Sequence, residues 1–384
     1  MKIGIMTCWG SGDNYGQQLQ CYALQKYLKQ LGHDAYLIRY DKSMDSKRFE
    51  FSGKVLRKLK RSYKVFIPEY WKERRENKRL DRERTEISSQ IIHLRNFKDF
   101  REKNLSLSKI VYSSYRQLRD NPPEADMYVT GSDQVWHFSL SGFGSPKEEM
   151  RAYMLDFGGK EIIRISAAAS WGRTEIPTKW KRHIKPLLHK FNTVTVREAS
   201  AIELCRQCGK DAVLVPDPTL YLEAETYRSL YEKNEVRKPA KDYVMVYWVN
   251  NGGHPPMEEI RRWSKERKLE IEYVTGNGML DKYPQNYATV QEWLYLVDHA
   301  QYIITNSFHA CVFSLIFKKR FGAIKINGQE SGMNDRLASL FDICNVTPRY
   351  ISATNFACLD WEAETVQIDQ CVDLKEAIRG WVNL

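Results

Sequence analysis

The first forty residues combine short apolar runs with a helical repeat. KIGIM, residues 2–6, is mostly apolar, and apolar residues then recur at helical spacing from Leu19 to Leu31. Gly32 follows as a natural helix end, and a second apolar run, AYLIRY, comes next. A strand, a helix and a second strand form a β-α-β unit, which favours a parallel sheet.

Strands and helical segments continue to alternate further along the chain. Before residue 216 we predict buried strands in MYVT, IIRISAAAS, TVTV and AVLV. After residue 241 strands and helical segments alternate more regularly, with strands predicted in DYVMVYWVN, EIEYVTG, QYIITNS and FGAIKIN. This pattern predicts an α/β fold made of two Rossmann-like, doubly wound domains.

Prolines and charges mark a boundary between the two domains. Pro216 and Pro218 precede the charged run NEVRKPAKD. We therefore predict an N-terminal domain over 1–225 and a C-terminal domain over 240–384. Ligands of such sheets bind at the carboxyl ends of the strands, so we expect the site in the cleft between the domains.

A basic segment interrupts the first domain at about 43–105. It is rich in lysine and arginine, and Val55, Leu56, Leu59 and Tyr63 share one face of a predicted helix. Two interpretations are open. The segment is either a solvated helical insertion packed on the domain, or a basic amphipathic segment that contacts an anionic membrane surface.

Composition limits the ligands, the cellular compartment and the metal sites that the sequence suggests. The net charge of +11 favours anionic ligands, but no nucleic-acid-binding motif is present and the excess of basic residues is concentrated in the insertion. Eight cysteines, no export signal and no membrane-spanning apolar run predict a cytoplasmic protein. Cys205 and Cys208 form a lone C-x-x-C without further ligands nearby, so no metal site is predicted.

The loop after the first strand contains three glycines, in WGSGDNYG. Its spacing departs from the dinucleotide-binding G-x-G-x-x-G, although Asp41 follows the second strand as that motif requires. Trp9 crowds the turn, and Asp13 places negative charge where a pyrophosphate would approach. We prefer a different role for Asn14, Tyr15 and Gly16: they begin a helix whose N–H groups bind an anion or a polar sugar.

A second motif is ITNSFHACVFS. A strand is predicted to end near Asn306, and Ser307 can cap the next helix. His309 then lies in the first turn, where the helix dipole disfavours imidazolium and keeps the ring neutral. His309 is therefore either a base in the cleft or a packed histidine near a helix cap.

Charged residues follow several other predicted strands. Arg197 and Lys325 lie at strand ends, and Arg336 opens a helix. Three cations in such places suit a substrate with phosphate and carboxylate groups. Asp133 and Asp217 can orient a sugar hydroxyl or accept its proton, although Asp217 can equally fix the Pro-Asp-Pro turn.

Taken together, these motifs resemble the polysaccharide pyruvyl transferase family. The resemblance rests on the N-terminal glycine-containing segment, VTGSDQVW, TVTVREAS, VPDPTL, ITNSFHACVFSLIF and NDRLASLF, which occur in the family's order. It implies a GT-B-like arrangement of the two domains. It also implies transfer of a pyruvyl group from phosphoenolpyruvate to two hydroxyls of a sugar in a cell-surface glycan, often on a lipid carrier.

The resemblance assigns roles to several residues. His309 would be the catalytic histidine, and Arg197 and Lys325 would bind the donor. Phosphoenolpyruvate would be a co-substrate, and no other cofactor or metal is expected. Some members have arginine two positions before the histidine, where this chain has Ser307, so Arg336 is an alternative ligand of the phosphate. Competing hypotheses are a GT-B glycosyltransferase that uses a sugar nucleotide, and a non-enzymatic glycan- or nucleic-acid-binding protein.

Overall fold

The architecture is described from a computed structural model. It describes residues 1–41, 86, 89–138, 147–249, 253–276, 279, 282–326, 334–352, 355–356, 359–360 and 376. Most of the predicted basic insertion, including its proposed amphipathic face, lies outside these residues. None of the helices in the described part combines the length and the apolar character needed to cross a bilayer.

The first half alternates strands and helices as the hydrophobic pattern predicts. In chain order its elements are β1 (Lys2–Met6), α1 (Tyr15–Gln30), β2 (Asp34–Tyr40), α2 (Phe97–Asn104), β3 (Leu107–Tyr112), α3 (Tyr115–Asp120), β4 (Met127–Gly131), α4 (Lys147–Tyr153), β5 (Ile163–Ala167), α5 (Thr178–Leu188), β6 (Thr195–Val196), α6 (Ala199–Gln207), β7 (Val213–Leu214), a 3-10 turn (Pro218–Tyr221) and α7 (Ala224–Glu232). Asn14 caps α1 by accepting a hydrogen bond from the Gln17 N–H, and Gly32 reverses the chain with φ +84°.

These strands build one parallel sheet. Five strands lie in the order β3-β2-β1-β4-β5, and all their pairings are parallel. Bridges from Ile165 to Thr193 and from Ala169 to Val196 attach the β6-β7 pair beyond β5. The order reverses between β1 and β4, which is the point where ligands bind in open α/β sheets.

The second half contains another parallel sheet. Its elements are β8 (Tyr243–Val249), α8 (Met257–Glu266), β9 (Glu270–Gly276), α9 (Val290–His299), β10 (Tyr302–Thr305), α10 (Phe308–Ile316), β11 (Arg320–Ala323) and α11 (Asn334–Ile343). The strand order is β11-β10-β8-β9. Both sheets are therefore of the Rossmann-like, doubly wound kind, and the predicted α/β class is confirmed.

One hydrophobic core joins the two halves. Tyr15, at the start of α1, stacks on Trp293 of α9 with ring centroids 5.4 Å apart, and it meets Tyr247 of β8 edge to face at 5.6 Å. The Tyr15 hydroxyl donates to the Ala288 carbonyl oxygen at 2.7 Å. This contact brings the start of α1 against the second half, as in a GT-B-like arrangement.

Some elements had no clear sequence signal. Strand β3 was not predicted, because Ser108 and Lys109 interrupt its apolar residues; on this edge strand Ile110 and Val111 are exposed. Helices α3, α4 and α7 were also missed; the first two have only six and seven residues. The domain limits at 225 and 240 remain a prediction, with α7 lying at this junction.

Candidate active site

Polar residues from both halves meet at the carboxyl ends of the strands. Asp133 follows β4, Arg197 follows β6 and Asp217 lies just beyond β7. From the second half, His309 comes from the first turn of α10 and Arg336 from the first turn of α11. All five residues are buried. The structure thus brings together five of the residues that the sequence singled out.

Arg197 is the centre of the cluster. One terminal nitrogen of its guanidinium lies 2.7 Å from an Asp217 oxygen, and the other lies 3.1 Å from an Asp133 oxygen. The side chain is fully inaccessible to solvent. Burial opposes its charge, but the two aspartates outweigh burial and raise the pKa of Arg197. Arg197 is thus charged, with both terminal nitrogens already paired.

The carboxylates of the cluster stay ionised. Burial opposes ionisation of Asp217, but Arg197 outweighs it and holds the Asp217 pKa at about 2. The pKa of Asp133 is lowered by Arg197 in the same way, against burial. One Asp217 oxygen accepts hydrogen bonds from Thr219, and the other accepts one from the Ser132 hydroxyl at 2.7 Å. Asp217 therefore both fixes the turn and faces the cluster.

His309 lies against the same carboxylate. Its Nε2 is 3.9 Å from the nearer Asp217 oxygen and has no hydrogen-bond partner among the described residues. Burial is the main reason that the His309 pKa falls to about 4, with Arg197 lowering it further. The imidazole is therefore neutral at pH 7, and its Nε2 can still accept or donate a hydrogen bond. A neutral ring was also predicted from the sequence, but its neutrality was attributed to the helix dipole. The main cause is burial.

The start of α1 supports His309. A Cβ atom added to Gly16 would lie 2.1 Å from His309 Nδ1, so only glycine permits this approach. Asn14 caps α1, and Tyr15 is buried in the core shared by the two halves. Of the three residues predicted to bind substrate here, Gly16 contacts the cluster. The Asn14 side chain caps α1, and Tyr15 packs in the shared core.

Asn306 and Ser307 hold the strand-to-helix turn. The Asn306 side chain donates to the Val249 carbonyl oxygen and accepts from the Val249 N–H, both at 2.9 Å. The Ser307 hydroxyl accepts from the Ala310 N–H at 3.5 Å and caps α10. Both residues were predicted to bind substrate. The structure shows them fixing the first turn of α10, which carries His309.

Two guanidinium groups flank Phe308. The Arg197 guanidinium carbon is 4.7 Å from the centre of the Phe308 ring, and that of Arg336 is 5.8 Å from it. Burial, and then Arg197, lower the pKa of Arg336 to about 10. An additional anion beside Arg336 would relieve this unfavourable environment.

Lys325 lies apart from the cluster. It is exposed, and its ammonium nitrogen is 4.3 Å from the centre of the Tyr350 ring. No contact with Arg197 or His309 is seen for Lys325 within the described residues. The buried cation that the second half contributes to the cluster is instead Arg336.

Three residues of the cluster were not among the predicted site residues. Ser132 donates a hydrogen bond to Asp217, Phe308 lies near both guanidinium groups, and Glu198 lies 3.9 Å from Arg197. Burial raises the pKa of Glu198. Each residue is adjacent in sequence to a predicted site residue, and that proximity was the available signal. The described residues include no group of three His, Cys, Asp or Glu side chains suited to a metal ion.

The arrangement combines a neutral imidazole, two buried cations and two ionised carboxylates. The imidazole can transfer protons, and the guanidinium groups can bind phosphate or carboxylate oxygens. Such a set suits group transfer from a small anionic donor.

Several solved structures are similar to this chain over most of its length. UDP-N-acetylglucosamine 2-epimerase from Rickettsia bellii has a TM-score of 0.45 and 10% identity, with 94% of each chain covered. The same enzyme from Neisseria meningitidis, bound to UDP-GlcNAc, has a TM-score of 0.43 and 8% identity, covering 94% of this chain and 89% of that one. The wall teichoic acid polymerase TagF has a TM-score of 0.37 and 12% identity, with coverage of 84% and 69%. At these scores the likeness says nothing of function.

Sequence comparison identifies a family. No curated protein matches the chain. The sequence profile of the polysaccharide pyruvyl transferase family, however, matches residues 14–327, which is most of the chain. The match contains the whole set of predicted site residues except Arg336. The chain thus belongs to the polysaccharide pyruvyl transferase family.

Proposed function

We propose that this protein transfers a pyruvyl group from phosphoenolpyruvate to two hydroxyls of a hexose, forming a cyclic ketal. The observation that carries the proposal is the buried, neutral His309, whose Nε2 has no hydrogen-bond partner in the described part of the chain. It lies within a cluster that also contains Arg197 and Arg336. A donor with phosphate and carboxylate groups matches these cations, and a hydroxyl nucleophile requires the base.

Arg336 is the main ligand of the donor in this proposal. Arg197 already pairs with Asp133 and Asp217, so it contributes mainly through its charge and by positioning the carboxylates. Burial lowers the pKa of Arg336, and a bound phosphate or carboxylate would stabilise its charged form. Lys325 remains a candidate only if it reorients from Tyr350.

His309 handles the protons. Binding of an anionic donor raises the pKa of His309, so the ring takes up a proton from solvent. It then donates this proton to the methylene carbon of phosphoenolpyruvate, which becomes the methyl group. The neutral ring next accepts the proton of the first sugar hydroxyl, whose oxygen bonds to the former enol carbon.

Phosphate departure completes the reaction. The bond between the former enol carbon and the phosphate oxygen breaks with its electron pair, leaving an oxocarbenium ion. The second hydroxyl adds to that carbon and closes the ring, and its proton goes to the departing phosphate. The products are the ketal and inorganic phosphate, with atoms and charge balanced.

The acceptor in this proposal is a hexose of a cell-surface or capsular polysaccharide precursor carried on a lipid. The basic insertion at about 43–105 is rich in lysine and arginine, which would favour an anionic membrane surface or a lipid diphosphate. The protein would then act at the inner face of the membrane. No nucleic acid partner is proposed.

The test is phosphate release from phosphoenolpyruvate with galactosides, glucosides and mannosides, with and without a lipid-diphosphate tail. We expect release only with an acceptor, and a product heavier by one pyruvyl unit minus water. His309→Gln should lower the rate by about 10²–10⁴-fold, whereas His189→Gln, at an exposed histidine, should leave it unchanged. Consumption of a sugar nucleotide without phosphate release from phosphoenolpyruvate would instead support glycosyl transfer.

A further inference from the structure

A separate cavity opens at the carboxyl ends of β1 and β2. It has a volume of about 490 Å³, and its lining includes Trp9, Gln17, Tyr40, Asp41, Arg101 and Tyr153. This volume lies in the range of small-molecule sites. None of these six residues belongs to the cluster around His309.

Aromatic rings in fixed orientations form much of the wall. Tyr40 and Tyr153 meet edge to face, with ring centroids 5.7 Å apart. The Trp9 indole N–H donates to the Tyr40 carbonyl oxygen at 3.1 Å, which holds the indole beside them. Tyr40 and Tyr153 are buried and Trp9 is half-buried, so Trp9 is the most exposed of the three rings. The orientation of its indole does not have to be fixed on binding.

The charges of the lining do not favour a phosphate. Arg101 is its cation, and one of its terminal nitrogens already donates to the Ser11 carbonyl oxygen at 2.7 Å and lies 3.3 Å from Gln18 Oε1. The Asp41 carboxylate at the end of β2 adds a negative charge. Aromatic rings with one carboxylate and the Gln17 amide suit an uncharged ligand that has several hydroxyls.

The cavity lies next to the candidate active site. Gln17 follows Gly16, the residue that contacts His309. Strand β1 pairs directly with β4, and the Thr7 hydroxyl at the end of β1 donates to the Ser132 carbonyl oxygen at 3.1 Å. The first turn of α1 therefore borders the cavity and also contacts His309.

We propose that this cavity is the acceptor subsite and that it holds one hexose ring. The ring stacks on Trp9, while Asp41 and Gln17 bind hydroxyls on its edge. This places the reacting hydroxyls toward the first turn of α1 and His309. The assignment rests on the proposed function, since it names the place of that reaction's acceptor.

The kinetic test uses Trp9→Ala, the milder Trp9→Phe, and Asp41→Asn. The control is Asp34→Asn, at an exposed aspartate on the opposite end of the same strand. We expect Trp9→Ala and Asp41→Asn to raise the KM for the acceptor about tenfold or more, with Trp9→Phe in between. Affinity for phosphoenolpyruvate, measured by calorimetry, should stay within about twofold of wild type in all four variants.

A binding measurement separates this proposal from the proposed function. Saturation-transfer NMR with methyl β-D-galactopyranoside, methyl β-D-glucopyranoside and methyl α-D-mannopyranoside needs no turnover. Signals for at least one glycoside with wild type, lost in Trp9→Ala and kept in Asp34→Asn, support the subsite even if phosphoenolpyruvate is not consumed. The subsite is overturned if wild type gives no signal with any glycoside. It is also overturned if the signals persist unchanged in Trp9→Ala and Asp41→Asn, or if UDP displaces every glycoside.

Discussion

His309 owes its chemistry to its surroundings. Burial lowers its pKa to about 4, from an ordinary 6.5, and Asp217 opposes this only in part. The folded protein therefore binds this proton less readily than the unfolded chain does. The neutral ring is available as a base at pH 7. The low pKa reduces the free energy of unfolding only at acidic pH.

The first prediction concerns this loss of stability at acidic pH. Between pH 6.5 and 4 the unfolded chain binds a proton at His309 that the folded protein does not, so the free energy of unfolding falls as pH falls. The loss attributable to His309 is about 3 kcal/mol. Urea unfolding at several pH values should show a shallower fall in His309→Gln than in wild type. Since burial also lowers the His33 pKa, the difference between the two proteins is the relevant quantity, and equal slopes would refute the prediction.

The second prediction concerns Gly16. In Gly16→Ala the new methyl group would meet His309 Nδ1 and move the imidazole. Displacement of a catalytic group by about 1 Å costs about a hundredfold in rate, so we expect that loss in kcat. Because the new methyl group crowds buried atoms where the two halves meet, Tm should fall as well. Gly253→Ala is the matched control, because a Cβ at Gly253 meets nothing within 4 Å and Gly253 is not a lining residue of the proposed acceptor cavity. Equal activity of the two variants would contradict the role of Gly16.

At the scale of elements, α10 positions the histidine. Its first turn is fixed by the Ser307 cap, and the Asn306 amide ties the preceding residues to the end of β8. A short polar sequence between a strand and a helix therefore aims His309 at Asp217.

The third prediction compares two helix caps. Ser307→Ala and Ser114→Ala each remove a hydroxyl that accepts a backbone N–H, at the starts of α10 and α3. Each should lower the free energy of unfolding by about 1 kcal/mol in urea titrations. Only Ser307→Ala should also lower kcat, because α10 carries His309. Comparable effects on kcat would show that the cap of α10 has no special part in positioning.

At the scale of the whole molecule, the two sheets share one core. Tyr15 of the first half packs on Trp293 and Tyr247 of the second, and Tyr227 of α7 meets Phe313 of α10 edge to face at 4.8 Å. The same contact that joins the halves brings Gly16 against His309. The candidate site therefore forms when the two halves dock against each other.

The fourth prediction is that the chain unfolds in a single transition. Circular dichroism and tryptophan fluorescence should give coincident urea curves in wild type. Trp293→Ala opens a cavity in the shared core, so it should cost about 3–5 kcal/mol and separate the two curves. Tyr36→Phe, which removes a hydrogen bond to Glu124 within the first half, should keep them coincident. Two transitions in wild type would contradict a shared core.

The sequence alone determined the fold class and named most residues of the candidate site. Apolar runs and helical repeats are local patterns, so they predicted both parallel sheets, and the motif around His309 placed that residue at a helix start. Strand β3 was not predicted, because Ser108 and Lys109 interrupt its apolar residues and leave neither a continuous apolar run nor a strict alternation.

Only the tertiary structure decided which charges meet. Residues near the ends of β4, β6 and β7 and the starts of α10 and α11 are distant in sequence, and the folding of both halves brings them together. That packing pairs Arg197 with Asp133 and Asp217, buries Arg336 beside Phe308 and leaves Lys325 exposed on Tyr350. Burial and charge pairing are long-range properties, so a pattern along the chain predicts candidates, whereas the fold sets their protonation and their partners.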